Sequence, residues 1–161
     1  MNQVFLQLGS NVGDREQLLF DATTIITDKI GAVVSKSKVY ESTPWRVEGQ
    51  ENYLNQIVKI ETEFTPKETL QYALDIEEEL GRVRVEKWGE RLIDIDIIFF
   101  NNEIIETSDL CIPHKHMHER NFVLEPLNEI APEYIHPKYK KTIAELLEQS
   151  KDAEKVEEYA V

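Results

Sequence analysis

The chain has 161 residues, 41% of them apolar and 30% charged, with a formal net charge of −13. That composition supports one buried core and excludes a disordered chain, and the acid excess argues against broad binding to nucleic acid or anionic membranes. No apolar run approaches the roughly 20 residues that span a bilayer, residues 1–14 lack the basic and apolar regions of a secretory signal, and a single cysteine, Cys111, forms no internal disulfide, so a reducing cytoplasm is the expected compartment.

No repeat, low-complexity tract or linker interrupts the chain, so residues 1–161 are expected to form one domain. Val4-Phe5-Leu6-Gln7-Leu8 reads as a strand and Gly9-Ser10-Asn11-Val12-Gly13 as a turn. Asp14 is placed to cap a helix, with Gln17 at the capping-box position. Leu18, Ala22, Ile25 and Ile26 form the stripe of that helix, and Gly31 offers a stop. Residues 33–40 read as a second strand, and residues 41–52, which have proline, glycine and charge but no period, as a loop. Over residues 54–64, Val58, Ile60 and Phe64 share one parity and Lys59, Glu61 and Glu63 the other, the pattern of a strand with one wet face.

Thr65-Pro66-Lys67-Glu68 opens a second helix, with threonine as cap, proline first and glutamate third. Leu70, Ala73, Leu74 and Leu80 supply its expected buried stripe, and Gly81 its expected end. A basic loop, residues 82–91, leads into residues 92–100, which are apolar except for Asp94 and Asp96. Asn101-Asn102 suits a hairpin turn into Glu103-Ile104-Ile105-Glu106. The proline-punctuated remainder offers short helices at residues 123–130 and 142–149, and residues 154–158 read as a solvated helix end. The order βαββαβ, with an added hairpin strand and C-terminal short helices, predicts an α+β fold, specifically a ferredoxin-like sandwich.

The most informative segment is Arg91-Leu92-Ile93-Asp94-Ile95-Asp96-Ile97-Ile98-Phe99-Phe100. Strand alternation puts Asp94 and Asp96 on one face and Ile93, Ile95 and Ile97 on the other. With a hairpin strand on one side and the core sheet on the other, this strand is expected to be interior. Two adjacent carboxylates there repel, and a hard cation removes the penalty. Mg²⁺ suits them, since it takes oxygen ligands from one or two carboxylates plus substrate phosphates. Such a pair can also clamp two ions roughly 3.5–4 Å apart. The plainer alternative is a frayed strand end with both Asp side chains in water. Apolar residues on both flanks argue against it, as do the nearby Arg82, Arg84, Lys87 and Arg91.

Those cations suit a polyphosphate, because arginine offers forked donors and lysine a point charge. The alternative is a solvated loop offsetting Glu77, Glu78, Glu79 and Glu86. Trp45, Tyr53, Trp88 and Phe122 could hold a flat heteroaromatic by stacking, with Asn55 reading its edge. Taken singly, each is a core or rim residue. His114, His116 and His118 alternate after Pro113, but without a cysteine pair or a helical His–Glu pattern the spacing does not support zinc. His114 could donate to a phosphate. His116, His118 and His136 read as exposed, and Cys111 as a small apolar filler.

Together these pieces resemble the 6-hydroxymethyl-7,8-dihydropterin pyrophosphokinase family. The resemblance runs from Leu8-Gly9-Ser10-Asn11 to Glu129-Ile130-Ala131-Pro132. It is most specific at Trp88-Gly89-Glu90-Arg91-Leu92-Ile93-Asp94-Ile95-Asp96-Ile97-Ile98. Tyr53-Leu54-Asn55, Gly81-Arg82-Val83-Arg84, Ile112-Pro113-His114 and Arg120-Asn121-Phe122 match as well.

The resemblance implies a ferredoxin-like fold, ATP as co-substrate, two Mg²⁺ ions, and transfer of pyrophosphate to a reduced pterin alcohol, leaving AMP. It implies that Asp94 and Asp96 hold the metals and that Arg82 and Arg91 act with them in catalysis. Arg82, Arg84, Arg91, His114 and Arg120 would contact the phosphates or their loop, and Glu77 and the backbone near Ile97 and Cys111 the nucleoside. Tyr53 and Phe122 would sandwich the pterin, with Ser42, Pro44, Trp45 and Asn55 at its edge and Trp88 closing over the site. A monomer that takes small-molecule substrates, and neither nucleic acid nor membrane, is the family-like expectation.

Asp109, Lys115, Leu74 and Thr43 depart from the family pattern and bear on the nucleotide side. Two competing readings are a metal-dependent nucleotidyl- or glycosyltransferase, which usually needs a larger domain, and a ferredoxin-like binding module without catalysis. The latter has no need of two carboxylates beside four cations.

Overall fold

β1 (Asn2–Ser10) is buried from Val4 onward because helices cover the sheet on both sides of it. The computed structural model describes residues 1–43, 52–84 and 92–160, with the side chains of residues 82–84 outside that set. After β1 come α1 (Arg15–Lys29), β2 (Ala32–Lys36), β3 (Tyr40–Ser42), β4 (Tyr53–Thr62), α2 (Pro66–Arg84) and β5 (Asp94–Phe100). Then follow β6 (Ile105–Glu106), β7 (Cys111–Ile112), a 3-10 turn (Met117–Glu119), α3 (Asn121–Ile130), α4 (Ile143–Gln149) and β8 (Val156–Glu158). The main sheet runs β5-β1-β4-β3-β8, with β2 also on β4, and its pairings are antiparallel. The fold is therefore mixed α+β.

Alternation along β1 sorts side chains into two cores. Val4, Leu6 and Leu8 pack with Leu18, Ala22 and Ile26 of α1 and with Ala73, Ile76 and Leu80 of α2. Phe5 packs on the other face with Val123, Leu124 and Leu127 of α3 and with Ile143 and Leu146 of α4. β5 serves both: Ile95 and Ile97 join the first core, Ile98 and Phe99 the second. Ile98 and Phe99 are consecutive yet share a core because the β1–β5 register shifts between Phe5 and Leu6.

Local signals set the helix starts. Asp14 accepts a hydrogen bond from the Gln17 amide at 3.2 Å, while the Gln17 side chain turns forward to Asp21. Thr65 and Glu68 form a reciprocal capping box at 3.0 and 3.2 Å, as do Thr142 and Glu145 ahead of α4. Gly31 follows α1 where a Cβ would lie 2.0 Å from the Glu61 carbonyl oxygen, so close approach to β4 requires glycine there.

Several expectations are corrected. The second strand divides into β2 and β3, with register shifts along their shared neighbour β4; between them Ser37 bonds to Ile57. β4 has a wet face only toward its C-terminal end, because α3 covers the other half. α2 runs through Gly81 to Arg84, and its buried residues are Thr69, Ala73, Ile76 and Leu80, with Leu74 exposed. Residues 105–106 pair with β7 and not with β5, so Asn101-Asn102 closes a turn without adding a strand to the main sheet. β5 is consequently an edge strand among the described residues, where an interior one was expected. Residues 154–158 contain β8, paired with β3, where a helix end was expected.

His136 is buried at 1% exposure, against the expectation of an exposed residue, and His118 is partly buried beside it. The His136 Nδ1 accepts from the backbone N–H groups of Lys138 and Tyr139 at 3.1 and 3.2 Å, a role open only to the neutral ring. Burial first, then His118 and Lys138, push its pKa down to about 4. The unfolded chain therefore takes up this proton first as pH falls. The stabilisation is complete above about pH 6.5 and is lost as pH falls toward 4, a loss of about 3 kcal/mol. Urea unfolding of the wild type between pH 7 and 4.5 should show this decline, and His136→Gln should show a shallower one.

Candidate active site

The register brings polar residues of neighbouring strands onto the α3 face of the sheet. Gly9 of β1 pairs with Asp94 of β5 on one side and with Asn55 of β4 on the other, and Gln7 pairs with Asp96. Ser42 of β3 pairs with Tyr53. Alternation then turns these side chains toward one cavity of about 330 Å³, closed at its rim by Phe122, Val123, His114, Arg120 and Glu154. Gly9 keeps the floor low, since a Cβ there would stand 3.4 Å from the Asn55 Oδ1.

One end of the cavity is acidic. Asp94 opens β5 half-buried and Asp96 is exposed, while Leu92 and Ile93 before them are buried. The pair thus lies at the start of an edge strand, though inside an apolar run and facing a concave surface. His114 and Arg120 line the same cavity, with Asp96 and Arg120 both close enough to His114 for their charges to act on it. Burial lowers the His114 pKa; the neighbouring Asp96 opposes that shift, and Arg120 and His116 reinforce it. The His114 Nδ1 is buried and has no hydrogen-bond partner among the described residues, so it is placed to meet a ligand. Its backbone N–H donates to the Ile98 carbonyl at 3.0 Å, which docks this segment on the open edge of β5.

Two aromatic rings face the cavity as well. Tyr53 and Phe122 both line it, and the Arg120 guanidinium lies 5.8 Å from the Phe122 ring centroid. Asn55, only 2% exposed, donates to the Ser42 Oγ at 2.8 Å and accepts from the Gln7 Nε2 at 3.3 Å. Because the Phe122 carbonyl, an acceptor only, also takes a hydrogen bond from the Gln7 Nε2, the Gln7 N–H groups face Asn55 and set the orientation of its amide.

Ser42, Tyr53, Asn55, Asp94, Asp96, His114, Arg120 and Phe122 thus converge as the sequence led us to expect. Glu77, Ile97 and Cys111 line other surroundings. The Glu77 carboxylate accepts from the Ile95 backbone N–H at 2.7 Å and satisfies the open edge of β5. The Ile97 side chain is buried under the helices. Cys111 and His114 line a neighbouring cavity of about 410 Å³. Pro44, Trp45, Trp88 and Arg91, and the side chains of Arg82 and Arg84, lie outside the described residues.

Gln7 and Glu154 are site residues that sequence reasoning missed. The signal for Gln7 was a lone amide inside an otherwise apolar strand. Nothing local marked Glu154, which arrives because the tail folds back on β3. Asp152 anchors that tail by accepting from the Asn121 backbone N–H at 2.8 Å. Burial, then Asp152, raises the Glu154 pKa, against a pull from Arg120.

Asp94 and Asp96 are hard oxygen donors suited to Mg²⁺. Among the described residues no group of three acidic, His or Cys side chains forms a complete ligand set. A site with two carboxylates leaves positions for phosphate oxygens and water, which is the pattern Mg²⁺ takes in nucleotide enzymes.

Two carboxylates, two aromatic rings and cationic donors around one cavity are the residue types a transferase uses to set a charged group against a planar acceptor. A family model described as 7,8-dihydro-6-hydroxymethylpterin-pyrophosphokinase (HPPK) matches residues 5–132, and the chain belongs to that family. It is 45% identical over 130 residues to the 2-amino-4-hydroxy-6-hydroxymethyldihydropteridine pyrophosphokinase of Bacillus subtilis, covering 80% of this chain and 78% of that one. The protein of the same name from Aquifex aeolicus is 41% identical over 145 residues, covering 90% of each. Among solved structures, a Plasmodium falciparum HPPK-DHPS superposes with a TM-score of 0.75 at 20% identity, covering 92% of this chain and 44% of that one. That likeness shows the fold, and the chain spans less than half the length of that structure.

Because Glu77 caps a backbone donor on an otherwise open strand edge, Glu77→Ala should lower unfolding stability by about 1–2 kcal/mol. A denaturant midpoint moved down at unchanged slope would be the readout; an unmoved midpoint would show that water satisfies the Ile95 amide equally well.

Proposed function

We propose that this chain transfers a pyrophosphoryl group from ATP to the hydroxymethyl group of 6-hydroxymethyl-7,8-dihydropterin, releasing AMP, as a step of folate biosynthesis. The observation that carries the reading is the single cavity with the carboxylates of Asp94 and Asp96 at one end and Tyr53, Phe122 and Asn55 at the other. The names of the relatives at 41–45% identity support it.

Mg²⁺, when bound, neutralises triphosphate charge and helps orient the reacting oxygens. Asp94 and Asp96 would hold it, and two ions are the number proposed. His114 and Arg120 bind phosphate oxygens from the same end of the cavity. Arg82, Arg84, Arg91 and Trp88 are proposed to join them, the arginines on the phosphates and Trp88 over the pterin. Glu77, Ile97 and Cys111 remain the proposed nucleoside side. Tyr53 and Phe122 hold the ring, Asn55 and Ser42 fix its edge, and Pro44 and Trp45 complete that wall. Positioning and charge neutralisation account for most of the catalysis, since phosphoryl-type transfer asks little covalent chemistry of the protein. Closure against water protects the product side.

We further propose that residues 1–161 act as one catalytic domain, as a monomer and in the cytoplasm. Among the described residues, no helix is long and apolar enough to cross a membrane. The ferredoxin-like reading is supported by the antiparallel order β5-β1-β4 followed by β2 and β3.

Incubation with ATP, Mg²⁺ and the reduced pterin alcohol should yield AMP. ADP in its place would indicate an ordinary kinase, and binding without turnover a non-catalytic module. Asp96→Ala should lower turnover by more than about a thousandfold while the fold is retained, and a normal rate would overturn the metal assignment. Tyr53→Ala and Phe122→Ala should each weaken pterin binding about tenfold or more and leave ATP binding nearly unchanged. Equal weakening of both ligands would show that these rings serve the core.

A further inference from the structure

Gln7 sits in the middle of β1, 3% exposed, between Leu6 and Leu8. Its Nε2 donates to both the Asn55 Oδ1 and the Phe122 carbonyl, each at 3.3 Å. Its Oε1 is buried without a partner among the described residues. For the fold alone this is a poor choice: an unsatisfied amide oxygen costs free energy that a leucine or methionine of similar size would avoid. The strand carries a destabilising residue at a position that bonds to both Asn55 and Phe122 in the cavity wall.

We propose that Gln7 is a positioning residue for recognition of the heterocycle, acting through Asn55; this rests on the pyrophosphokinase reading above. Asn55 has two N–H donors and one carbonyl acceptor. The Phe122 carbonyl can only accept, so it holds Gln7 with its N–H groups toward Asn55, and the Asn55 oxygen must face them; turning the amide over would lose that bond, whereas the Ser42 hydroxyl would serve either orientation. One N–H and one oxygen lone pair remain for a ligand, in fixed order along the edge. That order selects a planar ring whose edge carries an acceptor beside a donor, as an aminopyrimidinone does. By holding the Phe122 carbonyl as well, Gln7 ties the edge-reading amide to the backbone that carries the stacking ring. Without Gln7 the Asn55 amide can rotate, and the site reads the edge less strictly.

Two variants and a double mutant test this. Gln7→Met should keep or raise the melting temperature. It should increase KM for the pterin alcohol about three- to tenfold, the worth of one neutral hydrogen bond, and leave kcat and KM for ATP within twofold. In an Asn55→Ala background the same substitution should add no further increase. Gln7→Leu removes donor and acceptor alike at similar size, and should match Gln7→Met in KM. A lowered melting temperature with kcat reduced and both KM values raised together would show a merely structural role. An undiminished KM effect in the Asn55→Ala background would overturn action through Asn55. If the wild-type protein does not bind the pterin alcohol at all, the functional reading fails and this inference with it; if it binds and the two mutations multiply, this inference alone fails.

Discussion

The site depends on strand alternation carried in register across β5, β1 and β4. Each of these strands alternates apolar side chains under α1 and α2 with positions that face α3, broken only where the β1–β5 register shifts and Ile98 and Phe99 both face α3. Where α3 and α4 cover that second face, it is filled by Phe5, Ile57, Ile98 and Phe99. Beyond the reach of those helices the same face carries Gln7, Gly9, Asn55, Asp94 and Asp96, and it becomes a cavity. A one-residue slip in any of the three strands would send the carboxylates or the amide into the helical core. The burial of Leu6, Leu8, Ile95 and Ile97 therefore holds the polar constellation in place.

The position of β5 has a chemical consequence. An edge strand leaves backbone groups without a sheet partner. Here they are met from outside, the Ile95 amide by Glu77 and the Ile98 carbonyl by the His114 amide. The second of these bonds brings the only imidazole that lines the cavity, among the described residues, to the acidic end. An interior strand could not have recruited His114 in this way. The chain thus uses an open sheet edge, ordinarily a hazard, as the attachment line for part of its site.

The C-terminal tail closes the other margin. β8 pairs with β3 next to Ser42, and Asp152 accepts from the first turn of α3 next to Phe122. The strand that carries Ser42 and the helix that carries Phe122 are thereby joined through one segment, with Glu154 at the cavity rim. Two elements distant in sequence are tied together at the margin of the cavity.

The amino-acid sequence alone determined the elements with strong local chemistry: the cap at Thr65, the buried run of β1, and the alternation that puts Asp94 and Asp96 on one face. It also carried the family motifs, and through them the residues that meet in the cavity. These depend on neighbours in the chain, so they can be read without coordinates. Only the tertiary structure decided that residues 105–106 pair with β7, that β5 is an edge, that Leu74 faces outward while Ile76 turns in, that His136 is buried, and that residues 154–158 return as a strand. Each of these depends on which distant surface competes for the segment, and short strands and half-apolar helices have no local preference strong enough to settle it. Gln7 illustrates the division: its place in an apolar strand is visible in the sequence, but its meaning comes from Asn55 and Phe122, brought to it by the sheet and by α3.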